Sequence, residues 1–393
     1  MKIKLFLLFF WLVIPRSYSQ TFDYNNSLKD SLKNCDTLIT NINERRLYYE
    51  KYAELGDPCF QFNLALMYND ESDSILNKEK AFYWYQKSAE QGNSGAQNNL
   101  GLMYSQGDGI PEDKIKAEYW FRKAAEQGDA LAQNHLAFMY DIGDGVEKNK
   151  KEAYYWYQKS AEQGYATAQN NLAVLYDTGE GVKKDHQKAV YWFRKSAEKG
   201  NRLAQCNLAD KYYTGSGVQK NLPIALYWYR KSAKQGDIIA QYSVANMYYY
   251  GEGNDVDFEK SFFWFKKCAL QGDANAQNKL GYMYYSGKGT LINHKKALYW
   301  FTKSAQQGNA EAQYYLGVQY QNGEGTIKNK DKAFYWFSKS ATQGDAKAQY
   351  KLGLIYYYDE GFIQDRKKAE FWITKSAKNG CVNAKNFLKK EVF

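Results

Sequence analysis

The sequence predicts an all-α chain, built as a tandem array of two-helix repeats with a period of 36 residues. Three observations predict it. After Trp11 the tryptophans fall at 84, 120, 156, 192, 228, 264, 300, 336 and 372, and every gap is 36. Glycines at 56, 92, 128, 164, 200, 236, 272, 308, 344 and 380 keep the same interval, as do tyrosines from Tyr68 to Tyr356. Only 4 prolines occur in 393 residues, so helices run uninterrupted.

Residues 129–164 illustrate one repeat. Asp129 follows Gly128 as the cap of a first helix, and Asp or Asn fills that place in eight of ten repeats. Pro58 follows the cap residue Asp57, where a missing N–H costs nothing. Ala132, Leu136, Met139 and Tyr140 recur at helical spacing and make one apolar face. Gly143 and Gly145 end the helix. Asn149 caps the second helix, and its column is Asp or Asn in all ten repeats from Asn41 to Asp365. Ala153, Trp156, Tyr157, Ser160 and Ala161 form the buried face, and Gly164 closes the helix. Gly101, Gly281, Gly317 and Gly353 are expected where two first helices approach; only Gly95 has no place in the pattern.

The ends depart from it. Residues 20–40 lack Trp and the Gly pair and read as a linker or a degenerate first helix. The helix at 44–55 has Tyr48 in the Trp column, the first inter-helix loop has Glu71 and Asp73 for glycines, and the last loop keeps only Gly361. A lone first helix, 383–392, ends the array with Lys389, Lys390 and Glu391 exposed, as polar terminal repeats do.

Residues 1–19 read as a secretory signal peptide. Lys2 and Lys4 precede an apolar run from Leu5 to Ile14, Pro15 ends it, and Ser17 and Ser19 suit cleavage before Gln20. The sequence therefore predicts an exported protein, periplasmic or extracellular, or routed through the secretory pathway in a eukaryote, with no transmembrane segment after cleavage. Net charge is +10, of which the leader holds Lys2, Lys4 and Arg16. That surplus reads as spread along the chain, so no nucleic-acid partner is expected.

Ala153-x-x-Trp156-Tyr157-x-Lys159-Ser160-Ala161-Glu162-Gln163-Gly164, followed by Ala168-Gln169-x-x-Leu172-Ala173-x-x-Tyr176-x-x-Gly179-x-Gly181-Val182, resembles the signature of the Sel-one-like repeat family, a relative of the tetratricopeptide repeats. The resemblance covers residues 41–393, about nine full repeats plus a half repeat at each end. It implies a right-handed α-solenoid of stacked antiparallel helix pairs with a concave inner surface. It also implies a scaffold that binds proteins or peptides.

Catalytic chemistry finds little support. Gly287-Lys288-Gly289-Thr290 lacks the first glycine and the hydroxyl residue of a phosphate-binding loop. Asp141 to Glu152 has carboxylates near calcium-loop spacing but lacks the glycine at the sixth place. Some cysteine-rich bacterial relatives are described as β-lactamases or penicillin-binding proteins, which supplies an alternative reading as a cell-wall-active hydrolase. Ser196-Ala197-Glu198-Lys199 formally matches Ser-x-x-Lys, but most repeats carry Gln in the last column and no companion motif occurs. His186 and His294 share a column three repeats apart, beyond joint metal binding, and all three histidines, His135 included, read as surface residues. The 5 cysteines lie out of register. Cys268 replaces a buried Ser or Ala, and Cys35 with Cys59 is the pair worth testing as a disulfide. No catalytic residue, metal or cofactor is expected.

A binding surface is expected on the first helices, on the arc opposite the core columns. There the C-terminal half is rich in tyrosine: Tyr213, Tyr242, Tyr249, Tyr250, Tyr282, Tyr285, Tyr314, Tyr315, Tyr350, Tyr357 and Tyr358, with Asn134, Asn170 and Asn278 continuing the row. Tyrosine offers contact area at low entropy cost with a polar tip, which suits a protein or peptide ligand; a carbohydrate is the alternative ligand for the same face. A lysine column from Lys87 to Lys375 ends each second helix, where a cation meets the negative end of the helix dipole.

Overall fold

The computed structural model describes residues 41–70, 76–358 and 365–390. The expected leader, the 20–40 segment, Cys35, Gly361 and residues 391–393 lie outside the described residues. Among the described residues there are 20 α-helices and no strand. Within each of two compact bodies, consecutive helices pack against one another as antiparallel pairs, the pairing of an α-solenoid.

The two bodies meet in sequence at Asn149 and Lys150. The N-terminal body contains α1 (Ile42–Glu54), α2 (Pro58–Asn69), α3 (Lys78–Glu90), α4 (Ser94–Gln106), α5 (Lys114–Glu126) and α6 (Ala130–Ile142). The C-terminal body contains α7 (Lys150–Glu162), α8 (Ala166–Thr178), α9 (His186–Glu198), α10 (Arg202–Thr214), α11 (Leu222–Lys234), α12 (Ile238–Tyr250) and α13 (Phe258–Leu270). It continues with α14 (Ala274–Ser286), α15 (His294–Gln306), α16 (Ala310–Asn322), α17 (Lys330–Thr342), α18 (Ala346–Tyr358), α19 (Arg366–Lys378) and α20 (Val382–Lys390). Even-numbered helices are the first helices of their repeats. The helix expected at 44–55 begins earlier because Asn41 caps it, accepting from the N–H of Asn43 and Glu44.

The cap columns act as read. Asp129 Oδ1 accepts from Ala132 N at 2.8 Å, and Asn293 Oδ1 from Lys296 N at 2.9 Å. Tyr165, which breaks the first column, makes no side-chain cap bond. The loop inside each repeat is closed by the cap residue of the second helix: Asn293 N donates to Tyr284 O at 2.8 Å, and Asp257 N to Tyr248 O at 2.9 Å.

Two columns staple the helices, a serine column inside each repeat and a glutamine column that reaches the preceding repeat. Ser304 Oγ donates to Ala274 O at 2.7 Å and Ser340 Oγ to Ala310 O at 2.7 Å, each across thirty residues. Cys268, a fully buried thiol, takes the same place at 3.5 Å from Ile238 O. The buried glutamine column adds a relay: Gln277 Nε2 donates to Ala269 O at 3.2 Å and accepts from Gln307 Nε2 at 2.8 Å. These bonds give second partners to backbone carbonyls at helix ends, as at Ala269 O, which also accepts from Gly272 N at 3.1 Å.

The expected glycine contact is corrected. A Cβ at Gly101, Gly281 or Gly317 would meet the ring of Phe121, Phe301 or Phe337, and one at Gly353 would meet Ile373. These glycines therefore face the second helix of their own repeat and not another first helix. Gly95 also gains a role, since its Cβ would lie 3.0 Å from the Phe62 ring.

Candidate functional site

The tyrosines do not form one uniform row. Their columns lie at the edge of the first-helix face, so most are half-buried, and only Tyr250 and Tyr358 are exposed. Six of them gather on α12, α14 and α16. Tyr249 and Tyr250 stand edge to face at 4.9 Å, Tyr282 lies 5.5 Å from Tyr315, and Tyr285 lies 6.0 Å from Tyr315. Tyr314 and Tyr315 are 5.3 Å apart, and Tyr315 stacks on Phe301 at 5.1 Å. The repeat explains the gathering: neighbouring first helices bring residues 30 and 33 apart side by side, as Tyr285 and Tyr282 are with Tyr315.

Charged groups complete this cluster. Lys288 Nζ donates to Tyr249 OH at 3.0 Å and lies over the rings of Tyr249, Phe258 and Tyr282. That hydrogen bond holds the Lys288 ammonium in its charged form beyond the usual range. Burial opposes the charge of Lys279, yet Glu311 and the phenols of Tyr250, Tyr242 and Tyr249 hold its pKa above the ordinary value. Glu311 Oε2 also accepts from Asn278 Nδ2 at 2.7 Å. Burial, with a hydrogen bond to Glu324, pushes the Tyr285 phenol up to about 12. Burial raises Tyr314 and Tyr315 as well, so the phenols stay protonated donors.

The remaining residues fall elsewhere. Tyr350 and Tyr357 pack against Phe387 of α20 at 6.2 and 5.1 Å, with Tyr358 beside Tyr357. Tyr213 OH donates to Glu252 Oε2 at 2.9 Å. Tyr242 turns inward onto Phe265 at 5.5 Å. Asn134, Asn170 and Asn278 are only 1%, 4% and 3% exposed. Asn170 Oδ1 accepts from Asn207 Nδ2 at 3.1 Å, so this asparagine ties two first helices together. Asn134 belongs to the N-terminal body.

His135 corrects the surface reading. It is 6% exposed, its Nδ1 lies 2.8 Å from Asn98 Oδ1, and burial lowers its pKa to about 4. Its column faces the neighbouring first helix, which a helical wheel of one helix does not reveal. His186 keeps to the surface and pairs with Asp177 at 2.6 Å. Ser196 is buried with Oγ donating to Ala166 O at 2.6 Å, and Lys199 Nζ bonds Gly164 O. Both serve the repeat staples, and they do not face each other as nucleophile and base. Among the described residues no group of His, Cys, Asp and Glu could hold a metal ion. No helix among them is long and apolar enough to cross a membrane.

A second feature escaped the sequence reading. The residue before each tryptophan is an exposed aromatic, from Tyr83 to Phe371. The lysine four residues later lies over its ring: Lys195 over Tyr191 at 4.7 Å and Lys231 over Tyr227 at 4.9 Å. The 36-residue period of this column is visible in the sequence, but neither the core nor the cap pattern uses it.

Comparison with known proteins agrees with this architecture. The Sel1 repeat family matches at residues 60–93, 94–129, 130–165, 166–201, 202–237, 238–273, 274–309, 310–345 and 346–381. A protective antigen of uropathogenic Escherichia coli with an SLR fold is 39% identical, with 88% of this chain and 74% of that chain covered and a TM-score of 0.83. A Sel1 repeat protein from Oxalobacter formigenes is 31% identical, with 84% and 93% covered and a TM-score of 0.57. No curated protein matches the sequence. Nine contiguous matches laid over helices that cap, close and staple with the same period place this chain in the Sel1 repeat family.

Proposed function

We propose that the protein is an exported, non-catalytic scaffold that binds an extended peptide segment of a partner protein on the tyrosine cluster of α12, α14 and α16. The observation that carries the reading is the placing of Tyr249 and Tyr282 around the Lys288 ammonium, with Tyr315 beside Tyr282 and Tyr285 beside Tyr315. Such a surface combines rigid aromatic area with fixed polar tips. Its phenols donate to peptide carbonyls, and Lys279 and Lys288 suit an acidic side chain on the ligand. Asn278 Oδ1, buried and with no partner among the described residues, supplies an acceptor beside them. Repeat solenoids expose long surfaces of this kind to protein partners.

Export is proposed from Lys2, Lys4, the apolar run Leu5–Ile14 and the small residues Ser17 and Ser19. Secretion of the expressed chain with Gln20 as its new N-terminus is the expected result, and retention of Met1 in the cell would contradict it. Peptide-display selection on the processed protein tests the binding role. The expected outcome is a family of related sequences, enriched in acidic residues, that fail to bind the Tyr249→Ala/Tyr250→Ala/Tyr282→Ala variant. Selection that yields no common sequence would overturn the peptide reading.

A further inference from the structure

The positive charge is not spread evenly. Helices α11, α13, α15, α17 and α19 together hold seventeen Lys and Arg against three carboxylates, a surplus of fourteen where the whole chain carries only +10. The corresponding second helices α3, α5, α7 and α9 hold thirteen against seven. The difference sits largely in one column near the helix C-terminus. Glu90, Glu126, Glu162 and Glu198 occupy it in the earlier repeats; Lys234, Leu270, Gln306, Thr342 and Lys378 occupy it later.

The five basic helices lie side by side. At one end Gln307 Nε2 donates to Gly272 O at 3.0 Å, tying the end of α15 to the end of α13. At the other, Gly289 and Gly325 seat their loops on the first residues of α13 and α15, Phe258 and His294. Among the described residues only Lys260 and Lys368 of these seventeen cations form ion pairs, each with its own helix cap, Asp257 and Asp365. Lys296, Lys332 and Arg366 lie over Tyr284, Tyr320 and Tyr357 of the first helices, and one lysine of each basic helix lies beside an outward row of aromatics: Tyr227, Phe263, Tyr299, Tyr335 and Phe371 are 50–57% exposed. Lys231, Lys267, Lys303, Lys339 and Lys375 lie 4.9–5.7 Å from these ring centroids, so each ammonium is held in place rather than free to wander.

We propose that this second-helix face binds a linear acidic polysaccharide across the five repeats. The face meets its ligand with the same cation column once in every repeat, and an acidic polysaccharide carries acid groups repeated along its length. The lysines already cover one face of each ring, and a tryptophan edge packs beside it, as Trp300 does at 5.0 Å from Tyr299. The rings are therefore poorly placed to stack on nucleobases, which single-stranded nucleic acids require. They present edges and, at Tyr227, Tyr299 and Tyr335, phenol hydroxyls, which suit a polymer rich in hydroxyl groups. This site is separate from the tyrosine cluster on the first helices and does not depend on it.

Titration of the full chain with hyaluronan, with neutral dextran, poly-U RNA and phosphatidylglycerol vesicles as competitors, tests the proposal. Hyaluronan should bind, weaken as salt rises, and resist competition from the other three. Lys231→Glu/Lys267→Glu/Lys303→Glu should lose roughly tenfold or more in affinity, while the arginine triple at the same positions should retain it. The matched control Lys87→Glu/Lys123→Glu/Lys195→Glu, on helices where carboxylates offset the charge, should change affinity by less than about twofold. Equal losses in both glutamate triples, no hyaluronan binding, or displacement by RNA or by vesicles would each overturn the proposal.

Discussion

Gln307 Nε2 donates to Gln277 Oε1 at 2.8 Å across thirty residues, and Gln277 Nε2 passes the bond to Ala269 O at 3.2 Å. One side chain thus closes the helix before it and holds the helix after it. Replacing Gln277 with Ala removes both bonds at a buried position, although Ala269 O keeps the N–H of Gly272 at 3.1 Å, and is expected to cost about 1–3 kcal/mol. Gln307→Ala should cost less, because Gln307 is exposed and water can replace it at the Gln277 end. Urea unfolding of the two variants checks the order, and equal midpoints would contradict it.

Gly289 and Gly308 separate two demands that glycine meets. Both have positive φ, at 70° and 93°. A Cβ at Gly308 meets nothing within 4 Å, whereas one at Gly289 would lie 2.1 Å from the Phe258 carbonyl oxygen. Gly308→Ala should therefore cost only the backbone strain of about 1–2 kcal/mol. Gly289→Ala must also push apart two backbones and should cost distinctly more in a thermal melt.

His135 predicts a pH dependence. Its folded pKa, lowered by burial to about 4, lies below the ordinary 6.5. As pH falls below 6.5 the unfolded chain takes up the proton first, so stability falls between there and pH 4 and then levels. The loss should reach up to about 3 kcal/mol. His135→Asn, which installs the residue that Asn99 and Asn171 place in this column, should flatten the fall across that window. Unfolding midpoints at pH 7 and pH 4.5 check it.

Much of the fold was legible because the repeat multiplies each weak signal. One Asp before a helix is ambiguous, but the cap column from Asn41 to Asp365 is not. Trp156 and Ser160 were placed correctly on a buried face for the same reason. The site was less legible. A helical wheel separates the core side of one helix from the other side, but it does not show what the next helix covers. That is why Asn170 and His135, read as outward, are buried between first helices. Tyr314 fails the same way, since it packs against the Phe337 ring at 5.9 Å. The outward aromatic column beginning at Tyr83 belongs to neither the core nor the cap pattern, and only the structure reveals Lys87 lying over the ring at 5.8 Å.

The central claim is that the cluster around Lys288 is where a peptide binds. Calorimetric titration of a selected peptide tests it most directly, comparing Tyr249→Phe/Tyr282→Phe with Tyr227→Phe/Tyr299→Phe. Each pair removes two hydroxyls and leaves ring packing intact, so stability should hold in both. The first pair should weaken binding roughly tenfold, as the loss of two hydrogen bonds requires, and the second should leave it unchanged. Unchanged affinity in the first pair, or equal losses in both, would contradict the account.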